Sequence, residues 1–277
     1  MDAHPNAKTL LLSHMRGKVT DMDRVAALCE SRGVTLLEDC AHGCGVTWRG
    51  RQLGYHGKLA AYSTQSDKVI NSGEGGFVTT DDDAVAAQLI YLSGAYERRY
   101  NKHAVRPADE LCEAAMREMP NLSVRMAEVT AAMMRPLIAN LPQRVDDYNR
   151  RWESVVAVLE SSAGDTLAVP RGDARCGGVG DHLNFQLREH VTPAQNEVFR
   201  QECAALGVPV SWFCSSVNAR WHVNWREFGA PEFELPNTDA LLYRSFDLKM
   251  PPHFDDEDFV HLASVIAYAA NAAVATA

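Results

Sequence analysis

The chain has 277 residues, 46% hydrophobic and 23% charged, which is ordinary for a soluble globular protein with material for one or two cores. Its net charge of −9 argues against a nucleic-acid-binding or anionic-membrane surface. Seven cysteines without a framework pattern, and no export signal near Met1, point to reduced thiols in a cytoplasm.

Residues 8–15 read as a strand. Residues 21–31 follow as a helix: Asp21 suits the N-cap, Met22, Val25, Ala26, Leu28 and Cys29 make an apolar face, and Gly33 suits the C-cap. The run 34–39 is almost continuously apolar, as expected of a strand buried on both faces of a parallel sheet. Strand, helix and strand in this order make a βαβ unit. Such sheets bind ligands at the carboxyl ends of their strands, which is where Asp39 falls.

Residues 60–66 read as the next strand, whose end places Ser63 and Lys68 near the same rim. Residues 75–80 return as a strand, and 82–92 form a helix with Val85, Ala86, Leu89 and Ile90 inward. Residues 98–120 are charged and irregular, with a helical patch at 108–119. A long helical region spans 124–159, bent or broken at Pro136 and Pro142. The domain boundary is placed there, giving a first domain of 1–145 and a small α+β domain of 146–277.

In that second domain 181–188 alternates as a strand, with Leu183, Phe185 and Leu187 on one side. A helix over 193–206 stops at Gly207, 208–214 is another strand, and an acidic cluster opens a last helix over 255–275. Residues 259–277 contain no Asp, Glu, Lys or Arg, so a membrane span must be weighed. The stretch is alanine-rich and interrupted by His261, Ser264 and Asn271, too weakly apolar for a bilayer core. A terminal helix packed on the second domain is expected.

The chemistry concentrates between residues 38 and 76. Glu38-Asp39-Cys40-Ala41-His42 ends a strand in an acid. Ser63 to Lys68 sets a lysine five residues after a serine, and Gly73-Glu74-Gly75-Gly76 follows. A strand-end acid, a hydroxyl and a lysine are the parts that hold pyridoxal 5'-phosphate: the lysine bonds it covalently, the acid pairs with the pyridinium nitrogen, and the hydroxyl binds phosphate. Lys68, Asp39 and Ser63 take these roles, with Gln65 beside Ser63. Glu38 alternates to the opposite face of its strand and is the weaker acid. Cys40, His42 and Cys44 have zinc-ligand chemistry, but no second pair completes four ligands, and no metal is expected. Trp212, Asn218, Arg220, Trp221, His222 and Trp225 crowd one stretch that reads equally as a buried tryptophan cluster or as a substrate-facing wall.

These motifs resemble the DegT/DnrJ/StrS aminotransferases. So do 121–128 (Asn121-Leu122-Ser123-Val124-Arg125 onward), Leu235-Pro236-Asn237-Thr238-Asp239 and Leu248-Lys249-Met250-Pro251. The resemblance spans nearly the whole chain and implies an α/β fold. The first domain would be a partial fold type I aminotransferase large domain, a mostly parallel sheet with flanking helices. The resemblance also implies that His42 lies close to the cofactor ring and that Asn121, with Arg125, reaches across a dimer towards the neighbour's cofactor phosphate. The implied reaction takes an amino group from glutamate or glutamine to a keto sugar, cyclitol or related carbonyl compound. Lysine at 68 favours transamination, because related dehydratases carry histidine there. One departure stands out: family members carry a preceding segment with a phosphate-gripping loop and a ring that stacks on the pyridine. Gly17-Lys18-Val19-Thr20 is no substitute. A second polypeptide supplying that part, as a heterodimer or higher assembly, is therefore expected. A non-catalytic subunit that stabilises a full-length relative is the alternative.

Overall fold

Thr9–Ser13 forms β1 of the computed structural model, which describes residues 1–2, 4–229 and 234–275. Asp21 then accepts a hydrogen bond from the Arg24 N–H at 3.1 Å and starts α1 (Met22–Ser31). The helix stops at Gly33, whose φ of 60° lets its N–H return to the Glu30 carbonyl. β2 (Thr35–Asp39) runs parallel to β1 and sets Ser13 opposite Asp39. A two-residue hairpin follows, β3 (Thr47–Trp48) and β4 (Arg51–Gln52). β5 (Leu59–Ser63) lies parallel to β2, and β6 (Gly76–Thr79) returns antiparallel to β5. The main sheet has the order β1-β2-β5-β6.

The two faces of this sheet differ. Leu36, Glu38, Ala60 and Tyr62 point to one face and are buried. The other carries the in-register row Leu11, Leu37 and Leu59, and the row Ser13, Asp39, Ala61 and Val78. There Leu11 is 65% exposed and Val78 43%. The expectation that β2 is buried on both faces is thus corrected: its apolar run covers one core and leaves a half-open apolar face.

Asp82 caps α2 (Asp83–Gly94), and α3 (Asp109–Glu118) packs against it around Ala87, Tyr100 and Cys112. The single helical region expected from 124 is two helices, α4 (Glu128–Ala139) and α5 (Leu141–Ala163). They part at Asn140, and Pro142 occupies the first turn of α5, where a missing N–H leaves no carbonyl unpaired.

After β7 (Leu167–Ala168) the chain rejoins its first unit: β8 (Cys176–Gly177) pairs antiparallel with β3. Arg175 bonds Asp21 at 3.0 Å and lies over the Trp48 ring at 4.4 Å. One unit is therefore Met1–Arg144 with Gly172–Gly178, and the other Val145–Arg171 with Val179–Ala277. A single boundary near residue 145 misses this return.

The second unit contains β9 (His182–Leu187), α6 (Pro193–Ala205), β10 (Ser211–Trp212), α7 (Pro236–Tyr243), β11 (Ser245–Lys249) and α8 (Asp256–Ala275). Its sheet is antiparallel, in the order β10-β11-β9-β7. Phe185 stacks on Phe246 at 5.4 Å, and Phe199 of α6 meets both edge-on. The strand expected over 208–214 shrinks to two residues, and β11 beside it is longer. α8 is long and apolar enough to cross a membrane by length and composition, yet Phe259, Ile266, Ala269 and Ala270 are fully buried within the unit.

Candidate active site

β1, β2 and β5 are parallel, so their carboxyl ends share one rim, and Ser13, Asp39 and Ser63 are the last residues of those strands. Asp39 is gripped from two sides: Oδ1 accepts the Ala41 N–H at 3.0 Å, and Oδ2 accepts the Ser13 hydroxyl at 2.9 Å. Ser13 was not singled out in the sequence, because its link to Asp39 depends on strand register.

Glu38 faces the other way. Fully buried, it accepts hydrogen bonds from His14 Nε2 at 3.1 Å and from the backbone N–H groups of Gly54, His56 and Gly57 at 3.1, 2.8 and 2.7 Å. Burial alone would raise its pKa, but the bonds from His14, Gly57, Gly54 and His56 outweigh it and hold the carboxyl at about 2. His14, Glu38 and Cys40 cluster closely enough to suggest a metal. The lone pairs of Glu38 are already occupied by four donors, and burial, reinforced by the Glu38 charge, pushes the Cys40 thiol up to about 12. Burial also lifts Cys44 to about 11. Both thiols are therefore protonated near neutral pH in the metal-free protein.

Lys68 sits on a loop that bonds to itself. The Ser63 hydroxyl accepts the Gln65 N–H at 3.3 Å, the Gln65 side-chain oxygen accepts the Asp67 N–H at 2.9 Å, and the Lys68 N–H returns to the Gln65 carbonyl at 2.9 Å. Val69 and Ile70 are buried directly behind and root the loop. Gly75 (φ 129°) closes it with a backbone conformation that L side chains rarely adopt. The Lys68 ammonium then reaches His42 Nε2 at 3.0 Å. With Nε2 accepting, the imidazole proton belongs on Nδ1. His42 lies on the turn whose Ala41 N–H grips Asp39, so one turn serves both the acid and the lysine.

Asn121 is exposed, and its side-chain oxygen accepts the N–H and hydroxyl of Ser123 at 3.0 and 3.2 Å. Arg125 donates to the Gly94 carbonyl at 3.1 Å and braces the end of α2. In the second unit three indole N–H groups are engaged: Trp212 with the Tyr243 carbonyl, Trp225 with the Ala219 carbonyl, and Trp221 with Asp239. His222 shares that Asp239 oxygen at 2.8 Å, and Arg220 pairs with buried Asp247 at 3.3 Å. These contacts fit a self-contained cluster better than a substrate-facing wall.

The donor set fits pyridoxal phosphate at three points: an amine for its carbonyl, an oriented carboxylate for its ring nitrogen and a hydroxyl for its phosphate. A lysine, an acid and a hydroxyl on the rim of a largely parallel sheet, followed by an antiparallel unit, define the fold type I class of pyridoxal-phosphate proteins. The model of the DegT/DnrJ/EryC1/StrS aminotransferase family matches residues 3–267, and the chain belongs to that family, which is pyridoxal-phosphate-dependent. The 3-amino-5-hydroxybenzoate synthase of Amycolatopsis mediterranei (strain S699) is 26% identical over 86% of this chain and 60% of the relative. The L-glutamine:2-deoxy-scyllo-inosose aminotransferase of Micromonospora echinospora is 30% identical over 58% of this chain and 37% of the relative. The X-ray structure of the aminotransferase from Psychrobacter cryohalolentis superposes with a TM-score of 0.76 at 23% identity, covering 98% of this chain and 70% of that one. This chain thus spans less than two thirds of the length of the first two relatives.

Proposed function

We propose that this chain carries the lysine side of a pyridoxal-phosphate-dependent aminotransferase that moves an amino group from glutamate or glutamine to a keto sugar, a cyclitol or a related carbonyl compound. The observation that carries the reading is Lys68 Nζ held 3.0 Å from His42 Nε2, on the turn that also grips Asp39. Bound there, the cofactor supplies a carbonyl that condenses with amines and a ring that accepts electrons. Lys68 would hold it covalently, and its amine, once released, would take and return the transferred proton. His42 aims that amine and offers it a proton acceptor. Asp39 would pair with the ring nitrogen and Ser63 would donate to the phosphate, while Gln65 shapes the loop between Ser63 and Lys68. The cyclitol and L-glutamine alternatives draw support from the relative named for both.

The proposal includes a second polypeptide that completes the phosphate site, as a heterodimer or higher assembly. Support comes from the half-open sheet face with Leu11 and Val78, and from β1 and β6 as the outer strands of their sheet. In this proposal Asn121, which is exposed beside Leu122 and Val124, would reach a partner's cofactor phosphate. The test is borohydride reduction of the assembled, cofactor-loaded protein followed by peptide mapping. The expected result is loss of the long-wavelength band and a pyridoxyl adduct on Lys68. An adduct on another lysine, or a band that survives Lys68→Ala, would sink the assignment. No adduct on this chain at all favours the non-catalytic subunit.

A further inference from the structure

Ser13 has no part in the roles assigned above, yet among the described residues it makes the one side-chain hydrogen bond that reaches Asp39 from a neighbouring strand in register. β1 and β2 both end at the rim, and their parallel pairing sets Ser13 directly opposite Asp39. On the other side β5 offers Ala61, which has no side-chain donor. The Ala41 N–H holds Oδ1 at 3.0 Å, and the Ser13 hydroxyl holds Oδ2 at 2.9 Å. The last torsion of an aspartate is broad and roughly two-fold, so one donor alone leaves the carboxylate free to rock. Two donors on different oxygens, from different strands, fix its plane. Each oxygen keeps lone-pair capacity for a further partner.

We infer that Ser13 is a positioning residue: its hydroxyl fixes the Asp39 carboxylate in the orientation that meets the ring nitrogen of the cofactor, and through Asp39 it keeps that nitrogen protonated. The inference rests on the pyridoxal-phosphate reading of the site. It assigns Ser13 no contact with the cofactor. A charge-assisted N–H···O bond is strong only when well aligned. A rocking carboxylate therefore holds the ring proton less firmly.

The experiment uses the assembled protein loaded with pyridoxal phosphate carrying 15N in its ring. Wild type, Ser13→Ala, Ser13→Thr and Asp39→Asn are compared. The nitrogen chemical shift reads ring protonation, and a fluorescence titration reads cofactor affinity. Wild type is expected in the protonated range and Asp39→Asn in the neutral range. Ser13→Ala should fall between them and bind cofactor about three- to tenfold more weakly, the worth of one hydrogen bond. Ser13→Thr, which keeps the hydroxyl, should restore both readouts. Ser13→Ala indistinguishable from wild type, or Ser13→Thr behaving like Ser13→Ala, overturns the role of Ser13 while the cofactor reading stands. A wild-type assembly that binds no pyridoxal phosphate overturns both.

Discussion

Glu38 and Asp39 are consecutive acids with opposite uses, and the strand pleat separates them. Glu38 turns into the core and is held by four donors; Asp39 turns to the rim and is held by two. The folded Glu38 pKa lies below its unfolded value, so its contribution to stability is complete above that value and is lost as pH falls from 4.5 towards about 2. The difference corresponds to about 3 kcal/mol at neutral pH. Glu38→Gln should therefore destabilise by about 2–4 kcal/mol, because its amide NH2 faces backbone donors in place of an acceptor. Denaturant melts at pH 7 and pH 3 check this: the gap between variant and wild type should narrow at the lower pH. Asp39→Asn should leave the melt nearly unchanged and slow the amino-donor half-reaction by orders of magnitude, read by stopped-flow absorbance. The placing of Asp39 and Ser63 at strand ends, and of Lys68 on the loop beyond, was legible in the sequence because apolar runs end there. The cage around Glu38 and the Ser13 contact were not, since both arise from pairing between segments distant along the chain.

The elements that the sequence announced are those with local signals. Asp21 caps its helix as expected, Asp82 and Thr192 cap theirs at the expected starts, and Thr192 forms a reciprocal pair with Gln195 at the start of α6. β3, β4 and β8 are two residues each, too short for any periodicity, and they exist because a distant segment pairs with a hairpin. β11 and α7 hid inside a stretch known only by its motif. That motif now has a structural use: Asp239 in the first turn of α7 receives both Trp221 and His222 and ties their loop to the helix. The hydrogen bond from His222 is the main reason its carboxyl lies below the usual range. Asp239→Ala should release the loop and shift tryptophan emission to the red, and the shift should be absent in a Trp221→Phe background. α4 has the opposite character. None of its residues is buried, and Val129, Met133 and Ile138 are exposed on an apolar helix. Such a helix gains little from exposure and much from a covering surface.

For the molecule as a whole, the half-open sheet face of the first unit sets the terms of its stability. Leu11 and Val78 lie on outer strands, where backbone groups lack neighbours on one side. The chain alone should exchange amide hydrogens quickly along β1 and β6 and bind a hydrophobic dye. A completing polypeptide should slow that exchange and abolish the dye signal. Unchanged exchange in the presence of a tightly bound partner would mean that the partner covers some other surface.

The return of 172–178 to the first unit has a consequence for biosynthesis. A ribosome releases the chain from its N-terminus, and domains commonly fold as they emerge. Here the β3–β4 hairpin waits for β8, and Asp21 and Trp48 wait for Arg175. The unit bearing Lys68 thus reaches its final form only after part of the second unit has been synthesised. Completion of that unit is in this sense a late event, timed by translation of residues far downstream.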